Sequence, residues 1–307
     1  MELAAAVHEP AMVAEAMSAL GCRPGGFWVD ATLGAGGHAA AILERTSPDG
    51  FLLGIDRDTE ILGLAEARLA PFAERFALVH GNFGDVQAIL QRAERGLADG
   101  LLIDLGLSSL QLDVPERGFS FRADAPLDMR MDRSESGTAL DLVSSADEEE
   151  LARIIYEYGE ERKSRRIARA ICRERGRGGA LTTQRLAEAV AGAVGGRGPR
   201  GGHIHPATLT FQALRIAVNG ELEALAAVLA ALPAILAPGG RACVIAYHSL
   251  EDRAVKQAFR ALAPIGRTTQ PRAFTLLTKK PERPGDEELQ RNPRARSARL
   301  RAIARAA

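Results

Sequence analysis

The chain of 307 residues has only three cysteines, Cys22, Cys172 and Cys243. They are far apart and odd in number, with neither a disulfide framework nor zinc-ligand spacing, which points to a reducing cytoplasm. No apolar run reaches membrane-spanning length, and the opening MELAAAVHEP places no basic segment before an apolar core. Neither a membrane span nor a secretory leader is therefore expected. A G-x-x-x-x-G-K-[ST] phosphate cradle is missing, and so is the G-x-G-x-x-G dinucleotide fingerprint. His203 and His205 have no third ligand nearby, so no metal is expected. No internal repeat is evident.

What is present centres on FWVDATLGAGGH, residues 27–38. Phe27 to Val29 reads as a buried strand. A loop with Gly34, Gly36 and Gly37 follows, and Ala39 to Arg45 has helical composition. Strand, glycine loop and helix form the first unit of a doubly wound α/β sheet, where backbone approaches a nucleotide at the carboxyl edge. A second strand, Phe51 to Ile55, ends at Asp56, placed to accept hydrogen bonds from ribose hydroxyls. Asp30 just before the loop would repel a pyrophosphate and suits a cation. S-adenosylmethionine, with a sulfonium, an α-amino group and no phosphate, fits that set.

Further on, the periodicity predicts helices over 8–20, 59–69 and 86–95, and strands over 76–80 and 100–105. Successive βα units argue for α/β. The pattern then breaks into loop from Ser108 to about Met131 and into helix from Ala139 to Val194, with Thr182 or Thr183 as an N-cap. A Gly/Arg loop from Gly195 to His205 reads as mobile. Helix is expected again over 206–237, a fifth strand over 241–247 after the turn Pro238-Gly239-Gly240, a helix over 250–262, a short extended stretch at 273–278 and a basic tail. The layout is a sheet domain interrupted by a helical insertion: 1–114 and 215–307 for the core, 115–214 for the insertion. Leaving the sheet at a strand's carboxyl end, the insertion would hang over the cofactor.

Net charge is zero, but its distribution is not even. Residues 1–160 have 12 basic and 28 acidic side chains, residues 161–215 have 12 and 3, and residues 267–307 have 11 and 4. Clustered arginine in an otherwise acidic chain is the footprint of a polyanion partner, although part of any such run serves solubility.

Several longer stretches carry a resemblance: IDRD at 55–58, HGNF at 80–83, IDLGLSSLQLD at 103–113, RGFSFR at 117–122, PLDMRMD at 126–132, YGEERKSRRIARAI at 158–171, HPATLTFQALRIAVNGEL at 205–222, YHSLEDR at 247–253 and NPRARSARLR at 292–301. With FWVDATLGAGGH they resemble the bacterial RsmH (MraW) family over nearly the whole chain. The resemblance implies a Rossmann-like sheet of the class I S-adenosylmethionine-dependent methyltransferases with an inserted all-helical, substrate-recognising domain. It implies methyl transfer to N4 of a cytidine, cytosine 1402, in the decoding centre of 16S ribosomal RNA. It also implies that Gly36, Gly37 and His38 hold the methionine end of the cofactor, Asp56 the ribose and Phe83 the adenine, while Asp104 and Gln111 complete the pocket. Leu209 departs from the family, where an arginine is expected.

Cytosine N4 is a poor nucleophile because its lone pair is delocalised into the ring, so the amine must be aligned and its N–H accepted. Amino-methyltransferases often place an acidic or amide residue before Pro-Pro-aromatic at the end of strand four. Here that position reads Asp104-Leu105-Gly106, so Asp104 is the candidate catalytic acceptor, serving the amine, the cofactor or both. A flipped or unpaired base must then be held by stacking, with Phe119, Phe121 and Tyr247 as candidates. Tyr247, His248, Arg165, Arg166 and His205 are the candidate RNA contacts. For His248 a helix-entry hydrogen bond, with Ser249 capping the helix, is the alternative. The partner implied is 16S ribosomal RNA within the small subunit, with no membrane; homodimerisation stays open. A DNA amino-methyltransferase and a non-catalytic RNA-binding assembly factor are the competing readings.

Overall fold

A computed structural model describes residues 9–195, 205–264 and 273–307. It divides into two compact units, one comprising the chain up to Ser108 and from Leu222 onward, the other Ser109–Glu221.

In the first unit the order is α1 (Val13–Leu20), β1 (Phe27–Asp30), α2 (Gly37–Arg45), β2 (Phe51–Asp56), α3 (Thr59–Leu69), β3 (Phe76–His80), α4 (Val86–Ala93) and β4 (Ala98–Asp104). The second unit contributes α5 (Ser109–Asp113), α6 (Ala139–Ser145), α7 (Glu148–Gly159), α8 (Ser164–Gly176), α9 (Thr183–Val194) and α10 (Thr208–Asn219). The chain ends with α11 (Glu221–Ile235), β5 (Leu236–Ala246), α12 (Ser249–Leu262), β6 (Phe274–Leu276), α13 (Asp286–Arg291) and β7 (Arg299–Arg305).

The strands form a seven-stranded sheet in the order β3-β2-β1-β4-β5-β7-β6, with β7 antiparallel to both neighbours. The remaining pairs, from β3 to β5, are parallel. This is the α/β sheet that the successive βα units predict, with β7 and β6 added at one end. Side chains alternate across a strand, so neighbours on β1 enter different cores. Phe27 and Val29 join Leu53, Leu101, Val244 and Ile303 under α4, α11 and α12. Trp28 joins Leu52, Leu102, Ile245 and Leu300 under α1, α2 and α3. Coverage of both faces is why β1 is buried throughout and why Phe27 to Val29 reads as an unbroken apolar run.

Three expectations need correction. The helix expected over 206–237 breaks at Gly220, whose left-handed backbone caps α10 before α11 starts. Strand β5 begins at Leu236, paired with Ala98, and an irregularity absorbs Pro238-Gly239-Gly240 before pairing resumes at Arg241. The basic tail contains a strand, β7, paired on both sides: Leu300, Ala302 and Ile303 are buried, and Arg301 donates to Asp252 on α12 at 2.7 Å. Arg299 also reaches Asp252, at 3.4 Å. Part of the C-terminal positive charge is therefore neutralised internally. Residues 196–204 of the expected Gly/Arg loop, His203 among them, lie outside the described residues. No single helix among the described residues is long and apolar enough to cross a membrane.

In the second unit α7 packs against α8 and α10, α8 against α9, and α6 against α10. Helical spacing buries Leu151, Ile154 and Ile155, Ile167 and Ile171, and Leu186 and Val190. The starts of α6, α7 and α9 are marked chemically: Thr138 and Asp141 form a capping box, Asp147 accepts from Glu150 N–H, and Thr182 accepts from Arg185 N–H. Thr183 instead ties the preceding loop, donating to Ala123 O and accepting from Ala125 N–H. The PLDMRMD segment is clamped by the buried Arg117, which donates to the carbonyls of Arg130 and Met131. Asn219 completes the clamp, accepting from Met131 N–H and donating to Met129 O and Arg215 O, each at 2.8 Å. Asn219→Ala would leave the buried amide of Met131 unpaired, and is expected to cost about 2 kcal/mol. A lowered urea midpoint with unchanged slope checks this.

Candidate active site

The site is built at the carboxyl ends of β1, β2, β4 and β5. After β1 the chain turns through Thr32 and Leu33, and Leu33 N–H donates to Ile55 O. Gly36 takes φ of 78°, a left-handed conformation that glycine adopts without strain, and so opens α2 at Gly37. The free amides of that first turn carry partial positive charge and can meet an anionic group such as a carboxylate. Asp56 ties the two βα loops together: its Oδ2 accepts from Gly34 N–H at 2.8 Å and its Oδ1 from Asp58 N–H at 2.9 Å. Asp58 in turn caps α3 by accepting from Glu60 N–H. Burial pushes the Asp56 carboxyl up to about 6 even though these amides favour its charged form.

A second group of polar side chains gathers beside it. Asp104, at the end of β4, has its own N–H bonded to Thr32 Oγ1 at 2.6 Å. Tyr247, just past β5, donates its hydroxyl to Asp104 Oδ1 at 3.0 Å. Asp104 Oδ2 lies 3.4 Å from His38 Nε2, an electrostatic contact rather than a well-formed hydrogen bond. Asp30 is only 1% exposed. One of its oxygens accepts a long bond from Thr32 N–H at 3.3 Å, and among the described residues Oδ2 has no hydrogen-bond partner. Burial pushes the Asp30 carboxyl up to about 7, against the opposing influence of His38. For His38, burial would lower the imidazole's pKa, but the Asp104 and Asp30 carboxylates outweigh it and leave it raised. Burial, with the charge of Asp104, holds the Tyr247 phenol well above its ordinary pKa, so it remains a hydroxyl donor. Gly106, with φ of 119°, lets the loop after β4 pass close to this ring: a Cβ there would lie 3.1 Å from Tyr247 Cδ2.

The backbone of Tyr247 is fixed by Glu251, only 2% exposed, whose Oε2 accepts from the N–H groups of Tyr247 and His248. His248 is itself the N-cap of α12, with Nδ1 accepting from Glu251 N–H and Nε2 lying 3.0 Å from Glu251 Oε1. So the cap belongs to His248 rather than Ser249, with both imidazole nitrogens close to Glu251. Tyr247 turns its hydroxyl to Asp104. The spacing that could have revealed the cap is His248-x-x-Glu251, a capping-box pattern with an unusual cap residue. Glu251 and Thr32 were not legible as site residues, because nothing in their local sequence shows what they face.

Of the other expected residues, Gly36, Gly37, His38, Asp56 and Asp104 share the edge just described. Phe83 opens the turn after β3 and is half-buried against the core. Gln111, Arg165, Arg166 and His205 belong to the helical unit. Gln111 is buried on α5, and Arg165 and Arg166 are exposed on α8. His205 stacks on Phe121, their ring centroids 4.5 Å apart, and Phe121 also meets Phe211. Phe119 is buried, so its ring is spent on packing. Leu209 is half-buried in the first turn of α10.

The arrangement can hold a cation against Asp30 and Asp104, accept hydroxyl hydrogen bonds at Asp56, and take up an N–H at Asp104. Comparison with known proteins agrees with such a use. The chain matches the MraW methylase family over residues 5–306. Ribosomal RNA small subunit methyltransferase H of Syntrophotalea carbinolica is 51% identical over 308 residues, spanning 97% of this chain and 98% of that protein. Its namesake from Geobacter sulfurreducens is 52% identical over 310 residues, spanning 96% and 97%.

Proposed function

The chain belongs to the MraW methylase family, and on that premise we propose that it methylates small-subunit ribosomal RNA, transferring the methyl group of S-adenosylmethionine to N4 of a cytidine in 16S rRNA. The observation that carries the chemistry is the Asp30–His38–Asp104 cluster, where a buried carboxylate oxygen lacks a hydrogen-bond partner among the described residues at the edge that would hold a cationic cofactor. Two carboxylates facing one imidazole leave buried negative charge that is only partly compensated, which is costly, and a sulfonium or ammonium group relieves it. The residues present thus fit S-adenosylmethionine, which supplies an electrophilic methyl group when bound.

In this reading the α2 amides and His38 receive the methionine end, Asp56 accepts from the ribose hydroxyls and Phe83 packs on the adenine. Asp104 accepts an N–H of the target amine, which localises the nitrogen lone pair and aligns it. Thr32 and Tyr247 hold Asp104 in place. Arg165 and Arg166 give the helical unit positive charge for the RNA backbone. A cytoplasmic location follows from that substrate.

Transfer of labelled methyl to unmethylated small ribosomal subunits tests the proposal, with naked ribosomal RNA and duplex DNA alongside and nucleoside analysis of the product. N4-methylcytidine on the subunit supports it. Label on DNA alone would favour a DNA amino-methyltransferase, and cofactor binding without transfer would favour a non-catalytic factor. Separately, Asp56→Ala is expected to raise the cofactor Kd at least tenfold, since charge-assisted hydrogen bonds contribute about 1.5–3 kcal/mol. An unchanged Kd by calorimetry would refute the ribose assignment.

A further inference from the structure

The helical unit contains a groove of about 880 Å³ between α7 and the start of α8. Its lining includes Ala152, Tyr156, Arg162, Lys163, Arg165 and Arg166. Tyr156 is 60% exposed, although α7 buries Leu151, Ile154 and Ile155 on its other side. The apolar stripe of the helix is complete without it, so packing does not account for an aromatic ring at this position. Ala152, one turn earlier, lines the same groove with a small side chain.

Charge in the groove is unevenly committed. On the acidic wall Glu148 is paired with Arg169 at 3.3 Å, and at the groove's edge Arg153 is paired with Glu157 at 2.8 Å. The Lys163 ammonium donates to Val194 O. Among the described residues, Arg162, Arg165 and Arg166 are exposed and their guanidinium groups have neither ion pair nor hydrogen bond. Three uncommitted guanidinium groups around an open aromatic face are what an unpaired nucleic-acid strand needs: cations for its phosphates and a ring on which a base stacks. A duplex has no free base face to offer Tyr156. An acidic peptide would use the arginines but leave the ring idle.

We infer that this groove binds an unpaired stretch of RNA, with Tyr156 stacking on one base and Arg162, Arg165 and Arg166 contacting the flanking phosphates. The inference rests on the reading that RNA is the substrate, and it adds a binding site in the helical unit to the chemistry at the sheet edge.

The test uses the full chain, a fluorescein-labelled single-stranded RNA of mixed sequence and the same sequence as a duplex, read by anisotropy. Methyl transfer to small subunits is followed in parallel. Wild-type protein is expected to prefer the single strand. Tyr156→Ala should weaken that binding about tenfold and raise KM for subunits with kcat and cofactor Kd unchanged, whereas Tyr156→Trp should keep both. Arg165→Ala with Arg166→Ala should flatten the salt dependence by about 0.7 logarithmic units per lost phosphate contact. Single-strand binding by Tyr156→Ala within twofold of wild type overturns the inference. So does a raised KM for subunits with unchanged RNA binding, which would assign the groove to a ribosomal protein. If the wild type neither binds RNA nor methylates subunits, the failure lies in the RNA substrate reading. If it does both and the Tyr156 variants match it, only the groove assignment fails.

Discussion

Asp104→Asn is expected to lower kcat for methyl transfer about a hundredfold or more at saturating S-adenosylmethionine, the usual loss for a positioned proton acceptor. The substitution keeps the volume and the backbone bond from Asp104 N–H to Thr32 Oγ1. It removes the charge that faces His38 at 3.4 Å and accepts the Tyr247 hydroxyl at 3.0 Å. Tyr247→Phe separates position from charge, since the ring remains and only the donor to Asp104 is lost. About a tenfold fall in kcat is expected there, in line with loss of one charge-assisted hydrogen bond. Single-turnover rates with cofactor pre-bound check both. Full activity in Asp104→Asn would rule out Asp104 as the acceptor. Full activity in Tyr247→Phe would leave Tyr247 only a packing role.

S-adenosylmethionine is expected to bind more tightly as pH rises from 5.5 to 7.5, by up to about tenfold per unit where one proton is released. The cause is Asp30, which burial pushes up to about 7 and whose charged neighbours are His38, Asp104 and Asp56. Asp56, at about 6, adds to the same trend at the acid end. The folded, cofactor-free protein takes up protons on these carboxyls between about 4, where the unfolded groups titrate, and about 7. It therefore loses stability as pH rises through that window, and the raised pKa of His38 acts in the same direction. A cationic ligand reverses the penalty for the ionised carboxylate, so the thermal shift produced by S-adenosylmethionine should grow with pH. Asp30→Asn should flatten the dependence. S-adenosylhomocysteine, which lacks the sulfonium charge, should show a shallower slope than S-adenosylmethionine if Asp30 serves that charge. Calorimetric Kd values that do not change with pH in the wild type would remove Asp30 from the cofactor site.

The sequence by itself determined the cofactor half of this protein, because that chemistry is local. Glycines at a strand–helix turn, an acidic residue ending the next strand and Asp104 ending β4 are each fixed by their own segment, and a parallel sheet brings strand ends to one edge. Helical spacing likewise disclosed the inserted helices and narrowed one cap to Thr182 or Thr183, of which the structure uses Thr182. Tertiary structure alone decided the rest, because it depends on groups distant in the chain. Tyr247 finds Asp104 across 143 residues, and Arg301 finds Asp252 across 49. A run of arginines looks the same in sequence whether it meets solvent, RNA or a buried carboxylate. Only packing shows that Arg301 is neutralised within the fold while Arg162, Arg165 and Arg166 stand open around Tyr156.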